Sequence, residues 1–288
     1  MTPRFRAFYA ELLITTACNL HCDGCGNYTN YGMKGFMDAG ETAAAMKAWS
    51  ARVAFEHFRI LGGEPMIHPE LGRFVAAAAE CWPEAKRWVV SNGLLLARRA
   101  ELIETMVATG TRLLISFHSD DPRYLERMRP ALAEAKRWSE AGVAVRIEDY
   151  RAFVRMYRGI GRNMRPFTDN NPSGSWTGCL ARRCINLKAG RLWKCPQTAY
   201  LAEVLAHFEL TENPEWAPYL GYKGIGLEAS DAELGEFLQR GPEACCGMCP
   251  VEKPRYRKDV FNLDFDRPEE RLETEFAPVD LKALVKAL

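Results

Sequence analysis

The sequence predicts an α/β protein, a parallel sheet flanked by helices with a smaller cysteine-bearing module after it. Three observations carry this. Short apolar runs alternate with helical patterns from Ala10 to Asp149, the arrangement of βαβ units. The strand ends carry Gly, Ser, Asn and Asp rather than further apolar residues. From about Arg162 the alternation stops, and the Asn-, Pro-, Gly- and Ser-rich "RNMRPFTDNNPSGSW" marks a module boundary. Domain limits of 1–165, 166–270 and a C-terminal tail or helix over 271–288 follow.

Each element has its own signal. "AELLIT" (10–15) reads as the first strand and leads into a cysteine loop. "ETAAAMKAWSARV" (41–53) has helical character, and "HFRILGG" (57–63) is a strand ending on glycines. "PELGRFVAAAAECW" (69–82) is a helix with proline at its start. "RWVVSN" (87–92) and "TRLLISFH" (111–118) are strands on either side of the helix 97–109. The stretch 121–142 is helical with a bend expected at Pro130, and "VAVRIED" (143–149) is the next strand. "CINLKAGRLWKC" (184–195) alternates around Lys188-Ala189-Gly190 and reads as a β-hairpin. Short helices are expected over 198–208 and 231–240.

Parallel sheets carry their chemistry at the C-terminal strand ends. The cysteine loop, Gly62-Gly63-Glu64, Ser91-Asn92, Ser116 to His118 and Arg146 to Asp149 all fall there. The net charge of +1 gives no support for nucleic-acid binding. No run of 18 apolar residues and no signal-peptide layout appears, so no membrane partner and a cytoplasmic location are expected. Ten cysteines in such a compartment argue against a disulfide framework. Nine of them cluster at 18–25, 179–195 and 245–249, which favours metal ligation. Cys81 stands apart and reads as a core or near-surface thiol at a helix end.

Cys18, Cys22 and Cys25 are spaced C-x3-C-x2-C. Three thiolates suit a [4Fe-4S] cluster with one open iron, or zinc with an external fourth ligand. With Gly62-Gly63-Glu64-Pro65 after the second strand, the stretch from Tyr9 to Tyr150 resembles the radical S-adenosylmethionine (SAM) superfamily. That resemblance implies a partial (β/α)6 TIM-like barrel. It implies a [4Fe-4S] cluster on Cys18, Cys22 and Cys25, with SAM chelating the open iron. It also implies that Gly62 and Gly63 let the backbone approach the methionine moiety and that Glu64 accepts from its ammonium. Ser91, Asn92, Ser116 and Arg146 are further SAM-binding candidates by position, and His118 a substrate contact. Where the family often has an aromatic residue before the third cysteine, this chain has Gly24, so the adenine is expected to stack elsewhere, on Tyr28 or an apolar strand residue.

The second cysteine region, Cys179-x10-Gly190-x4-Cys195 and then Cys246-x2-Cys249, resembles the auxiliary-cluster module called twitch, related to the longer SPASM module. One auxiliary [4Fe-4S] cluster is implied, and zinc is the alternative. Four ligands are expected among Cys179, Cys184, Cys195, Cys246 and Cys249. Family spacing selects Cys179, Cys195, Cys246 and Cys249, while a second packing uses Cys184. A thiol left unligated would return a hydrogen atom to a substrate radical and invert its centre. Cys249, Cys245 and Cys184 are the candidates, with Cys249 placed first.

The first strand is expected within about ten residues of Met1, with no room ahead of it for a leader-peptide-binding domain, which tilts the substrate toward a small metabolite. His118, Arg146, Glu148, Asp149, Asn163 and Asp169 are candidate contacts for hydroxyl and amino groups. The leading expectation is epimerisation at a carbinol carbon of a sugar-like or aminocyclitol molecule. Dehydrogenation through the auxiliary cluster, modification of a ribosomal peptide, and an iron–sulfur electron carrier are the alternatives. A flavodoxin- or ferredoxin-type reductant and a monomeric enzyme complete the expectation.

Overall fold

The computed structural model describes residues 3–253, 255–257, 260–261 and 281–287. Four βα units and a fifth strand come first. They are β1 (Phe5–Leu13), α1 (Ala39–Ser50), β2 (Val53–Leu61), α2 (Leu71–Cys81), β3 (Lys86–Ser91), α3 (Leu102–Thr109), β4 (Arg112–Phe117), α4 (Pro122–Glu140) and β5 (Val145–Asp149). A short β6 (Ala152–Val154) and α5 (Pro172–Thr177) lead to β7 (Ile185–Lys188) and β8 (Arg191–Trp193). Then come α6 (Pro196–His207), α7 (Ala217–Leu220), α8 (Asp231–Gln239), β9 (Arg255–Arg257) and α9 (Leu281–Ala287).

Seven strands form one sheet in the order β5-β4-β3-β2-β1-β7-β8. β1 to β5 are parallel to their neighbours, β7 runs parallel to β1, and β8 returns antiparallel. This is a mostly parallel α/β sheet of the partial-barrel kind. The hairpin, read from the sequence as part of the C-terminal module, extends this sheet at the β1 edge. Ala189 and Gly190 both have positive φ (49° and 72°), the backbone of a tight two-residue hairpin turn. Trp49 Nε1 donates to Gly190 O at 2.9 Å and ties that turn to α1.

The side-chain period of two divides the sheet into unlike faces. Ala10 and Leu12 of β1, Phe58 and Ile60 of β2, Val89 of β3 and Leu113 and Ile115 of β4 pack under the helices. Trp49 of α1, Phe74 of α2, Met106 of α3 and Trp138 of α4 meet them, all fully buried. Each large side chain so buried contributes about 3 kcal/mol. Trp82 belongs to the same buried set, and Trp88, next to Val89, is buried on the other face. α4 runs unbroken through Pro130, whose ring lies on the exposed side, so the lost hydrogen bond faces solvent instead of the core. Asp38 caps α1 by accepting from Glu41 N at 2.8 Å, and Asp121 caps α4 by accepting from Arg123 N at 2.8 Å. No helix among the described residues is long and apolar enough to cross a membrane.

Candidate active site

The opposite face of the sheet is not filled. A cavity of about 930 Å³ opens there, from the C-terminal strand ends down along β1 and β2 to Cys184 at the start of the hairpin. Cys18, Cys22 and Cys25 line its upper end. Their loop is closed by Cys25 N donating to Cys22 O at 3.2 Å, and Leu20 N donates to Cys18 Sγ at 3.4 Å. A buried ion pair between Asp23 and Arg155, at 2.6 Å, fastens the loop to the segment after β6. Burial, then the field of Glu64, pushes the Cys18 thiol well above its ordinary pKa.

Gly62 and Gly63 lie against this loop. Gly63 N donates to Thr15 O and Glu64 N to Ala17 O, both at 2.8 Å. A Cβ on Gly63 would stand 2.3 Å from Ala17 O, so only glycine lets the two backbones meet. Both glycines also line the cavity. Glu64 itself is fully buried and does not line the cavity. It accepts from Met66 N at 3.0 Å, Ser91 Oγ at 2.7 Å and Asn92 N at 2.7 Å. Burial pushes its carboxyl up to about 7 against those hydrogen bonds. Where the resemblance implied a ligand ammonium, the groups that Glu64 holds in this structure are the backbone and a hydroxyl of the protein.

Ser91, Asn92, Ser116 and His118 line the cavity as their strand-end positions suggest. Asn92 Nδ2 donates to Asn19 Oδ1 at 2.7 Å and so reaches the cysteine loop. Arg146 does not line it. It shares the face of Leu114 and Ser116, but β5 is the edge strand, and the side chain there is 63% exposed and pairs with Glu148 at 2.9 Å. Glu148 follows it outside the cavity, and Asn163 and Asp169 lie away from it too. Asp169 accepts from Val251 N at 2.7 Å. Asp149 does line the cavity and is clasped by Arg151 at 2.6 and 2.9 Å. Tyr28 is buried and stacks on Tyr157, ring centroids 5.5 Å apart, so it is not a cavity wall. Phe8, Tyr9, Tyr150 and Phe153 supply the aromatic walls instead.

Sequence reasoning missed Tyr9, Glu11, His57 and Arg59, the inward residues of β1 and β2. They are in register, Tyr9 beside His57 and Glu11 beside Arg59. Tyr9 Oη donates to Glu11, and the Arg59 guanidinium lies 5.0 Å from the Tyr9 ring centroid. The signal was present: strands of a covered parallel sheet are apolar on both faces, and these two alternate.

A second, smaller cavity lies under α5 and α6. Cys179, Cys195, Cys245, Cys246 and Cys249 line it, together with Trp176 and Lys194. Burial raises the Cys179, Cys195 and Cys249 thiols. Cys245 donates to its neighbour, which raises Cys245 and holds Cys246 down to about 6. Cys184 is absent from this wall. It lines the large cavity, on the inward face of the sheet beside Tyr9 and Glu11. Cys81 ends α2, half-buried and apart from both cavities.

Residues 12–167 match the family described as the Radical SAM superfamily, more than half of the 288-residue chain. The chain belongs to the radical SAM superfamily. GTP 3′,8-cyclase of Stenotrophomonas maltophilia (strain K279a) is 32% identical over 93 residues, 32% of this chain and 28% of that relative. GTP 3′,8-cyclase of Mycolicibacterium smegmatis is 31% identical over 118 residues, 40% of this chain and 32% of that relative. The match thus spans about a third or less of these curated relatives. Among solved structures, BtrN in complex with AdoMet and 2-DOIA aligns over 84% of this chain and 92% of that one, at 15% identity and TM-score 0.41. Streptococcus suis SuiB bound to precursor peptide SuiA aligns over 49% and 32%, at 20% identity and TM-score 0.41.

The residues of this radical SAM enzyme fit the group its family carries. Three soft thiols face the cavity from one loop, and one wall is open beside glycines whose Cβ positions are closed by backbone. Among the described residues, no group of three or more His, Cys, Asp or Glu side chains is gathered about one metal ion. A [4Fe-4S] group takes each thiolate on a different iron, so its ligands need not converge on one point.

Proposed function

We propose that this radical SAM enzyme abstracts hydrogen from a carbinol C–H of a small sugar-like or aminocyclitol molecule and returns hydrogen from Cys184 to the opposite face, epimerising the carbon. One observation carries this reading: Cys184 shares the large cavity with Cys18, Cys22 and Cys25 but lies at its far end. Ile185 pairs with Ala10, so Cys184 is level with Tyr9, four residues before the end of β1. At roughly 3.3 Å per residue that is ~13 Å below the cysteine loop. A molecule between the two ends meets the radical source on one face and a thiol on the other.

Bound at the triad, the cluster and SAM supply a hydrogen-abstracting 5′-deoxyadenosyl radical. The substrate carbon, having lost a hydrogen atom, takes one from the Cys184 S–H; the C–H bond forms as the S–H bond breaks. The sulfur radical left on Cys184 regains one electron from a ferredoxin- or flavodoxin-class donor and one proton from solvent. Burial keeps the Cys184 thiol protonated far above its ordinary pKa, with the Glu11 carboxylate as its hydrogen-bond acceptor. Glu11 and Asp149 suit a substrate amino group, and Arg59 and His118 its hydroxyls. Cys249, placed first from the sequence, stands with the second thiol set, which we assign to an auxiliary [4Fe-4S] cluster on Cys179, Cys195, Cys246 and Cys249.

That auxiliary site favours a second reading, in which the substrate radical loses an electron to it and leaves as a ketone. Incubating the reduced enzyme with SAM and a panel of aminocyclitols and amino sugars in deuterated water separates the two. Epimerisation places one solvent deuterium on the inverted carbon, and Cys184→Ala loses that product while still forming 5′-deoxyadenosine. A ketone with no deuterium incorporation rejects epimerisation.

A further inference from the structure

Arg240 follows α8 with φ 37° and ψ 115°, a backbone conformation that residues with a Cβ rarely adopt. Its Nε, Nη1 and Nη2 are all buried, and none has a hydrogen-bond partner. A guanidinium carries five N–H donors and cannot shed its charge, so leaving it uncompensated in the interior costs several kcal/mol. What it touches is aromatic: the group lies 6.0 Å from the Trp176 ring centroid and 5.7 Å from that of Phe237. Trp176 lines the second thiol cavity and also carries Lys194 Nζ at 4.3 Å. Lys194 is already satisfied by Gly241 O at 2.7 Å and by Glu243. Burial lowers the Arg240 pKa, and the neighbouring Cys195, Tyr222, Cys184 and Glu243 oppose that shift.

We propose that Arg240, which stands against the cavity-lining Trp176 and does not itself line the cavity, is the counter-charge of the iron–sulfur group held by the second thiol set, an assignment that rests on the auxiliary cluster proposed above. The potential of such a group follows its net charge and the hydrogen bonds to its sulfurs. Each electron added makes it more negative, so a fixed cation beside it favours the reduced form. Arg240 acts through the cluster and is a positioning residue.

The test uses the full chain carrying Cys18→Ala, Cys22→Ala and Cys25→Ala, in which only the second group gives an electron paramagnetic resonance signal. Redox titration is compared for Arg240, Arg240→Lys and Arg240→Gln. The expected result for Arg240→Gln is a roughly tenfold lower reduced-to-oxidised ratio at fixed potential, a shift of about 59 mV for a one-electron couple. Arg240→Lys keeps most of the original value. Loss of iron in the Gln variant alone also supports the assignment, because charge is what Lys retains. A potential unmoved by Arg240→Gln overturns it and leaves the auxiliary cluster standing. Loss of iron in both variants with the circular dichroism unchanged overturns it too, since shape rather than charge is then what matters. Iron missing from the background protein itself removes the auxiliary cluster, and with it the assignment.

Discussion

The two thiol sites are built in opposite ways. Cys18, Cys22 and Cys25 lie in one loop after β1, within eight residues. The second set is drawn from the end of α5, the end of β8 and the turn Ala244–Met248 with Cys249 beyond it. The first loop is shaped by β1, β2 and the Gly62–Gly63 contact, with Asn92 and Arg155 fastening it from outside. The second exists only after the hairpin has paired with β1 and Ser175 Oγ has bonded Cys249 O, at 2.7 Å. Their surroundings differ as well. Glu64 supports the first site from beneath, whereas Lys194 and Arg240 stand beside the second. One site lies in a single loop on a large cavity, with a carboxylate beneath it; the other is assembled over long range, with Lys194 in its wall and Arg240 behind Trp176.

The largest expected effect breaks the comparison into its halves. With the auxiliary cluster proposed above, Cys18→Ala, Cys22→Ala or Cys25→Ala is expected to abolish reductive cleavage of SAM to 5′-deoxyadenosine and to lower iron from about eight to about four per chain, one cluster's worth. Cys179→Ala, Cys195→Ala or Cys246→Ala removes the other four and leaves SAM cleavage. Cys184→Ala keeps all the iron. Iron and 5′-deoxyadenosine assays on the same preparations decide it. A Cys184→Ala protein that loses four irons would return that thiol to the ligand set.

How far these sites were legible from the sequence follows from the same contrast. Spacing alone exposes the triad, and the alternation of periods exposes β1 to β5 with their helices, because both are short-range signals. β1 was read late, from Ala10 instead of Phe5, because its first half owes its strand form to pairing with β2. Cys184 and Cys195 bracket the hairpin, and the register of that hairpin alone decides which cavity each thiol meets. A shift of one residue exchanges the faces, and no local pattern fixes it. Arg146 is a different case. Val145 and Ile147 face the helices, so period two puts Arg146 on the cavity side; that β5 is the edge strand, where the side chain runs to solvent, is decided by strand order and not by any local pattern. Glu11 and Arg59 were passed over for another reason, as polar residues on the face of a parallel strand that ordinarily packs.

A smaller effect, confined to the first site, comes from Gly63→Ala. The added methyl meets Ala17 O at 2.3 Å and Cys18 Cβ at 2.8 Å, both backbone or near-backbone atoms that cannot swing aside. Overpacking of this kind costs about 1–3 kcal/mol, and the strain falls on the residue before Cys18. SAM cleavage and SAM-site iron are expected to drop together, with the second iron group intact. Equal loss from both sites would mean that the two are coupled through the sheet and not separately built.

The smallest effect tests the buried carboxylate beneath the first site. Unfolded, Glu64 titrates near its ordinary 4.5; folded, burial holds it up to about 7. Below pH 4.5 both states are protonated and the group adds no slope. Between those values the unfolded chain releases a proton that the folded chain keeps, so stability falls as pH rises. Above about 7 the deficit is constant, ~3 kcal/mol at about 1.4 kcal/mol per unit. Glu64→Gln removes that slope. It also sets an amide N–H against Asn92 N–H in place of the acceptor now at 2.7 Å, a loss of about 1–3 kcal/mol at every pH. Urea unfolding of anaerobically prepared wild type and variant, from about pH 5 to 8, reads both terms. The expected difference between the two curves is largest at acid pH and narrows toward neutrality. Parallel curves would mean that Glu64 is ionised throughout, its three donors outweighing its burial.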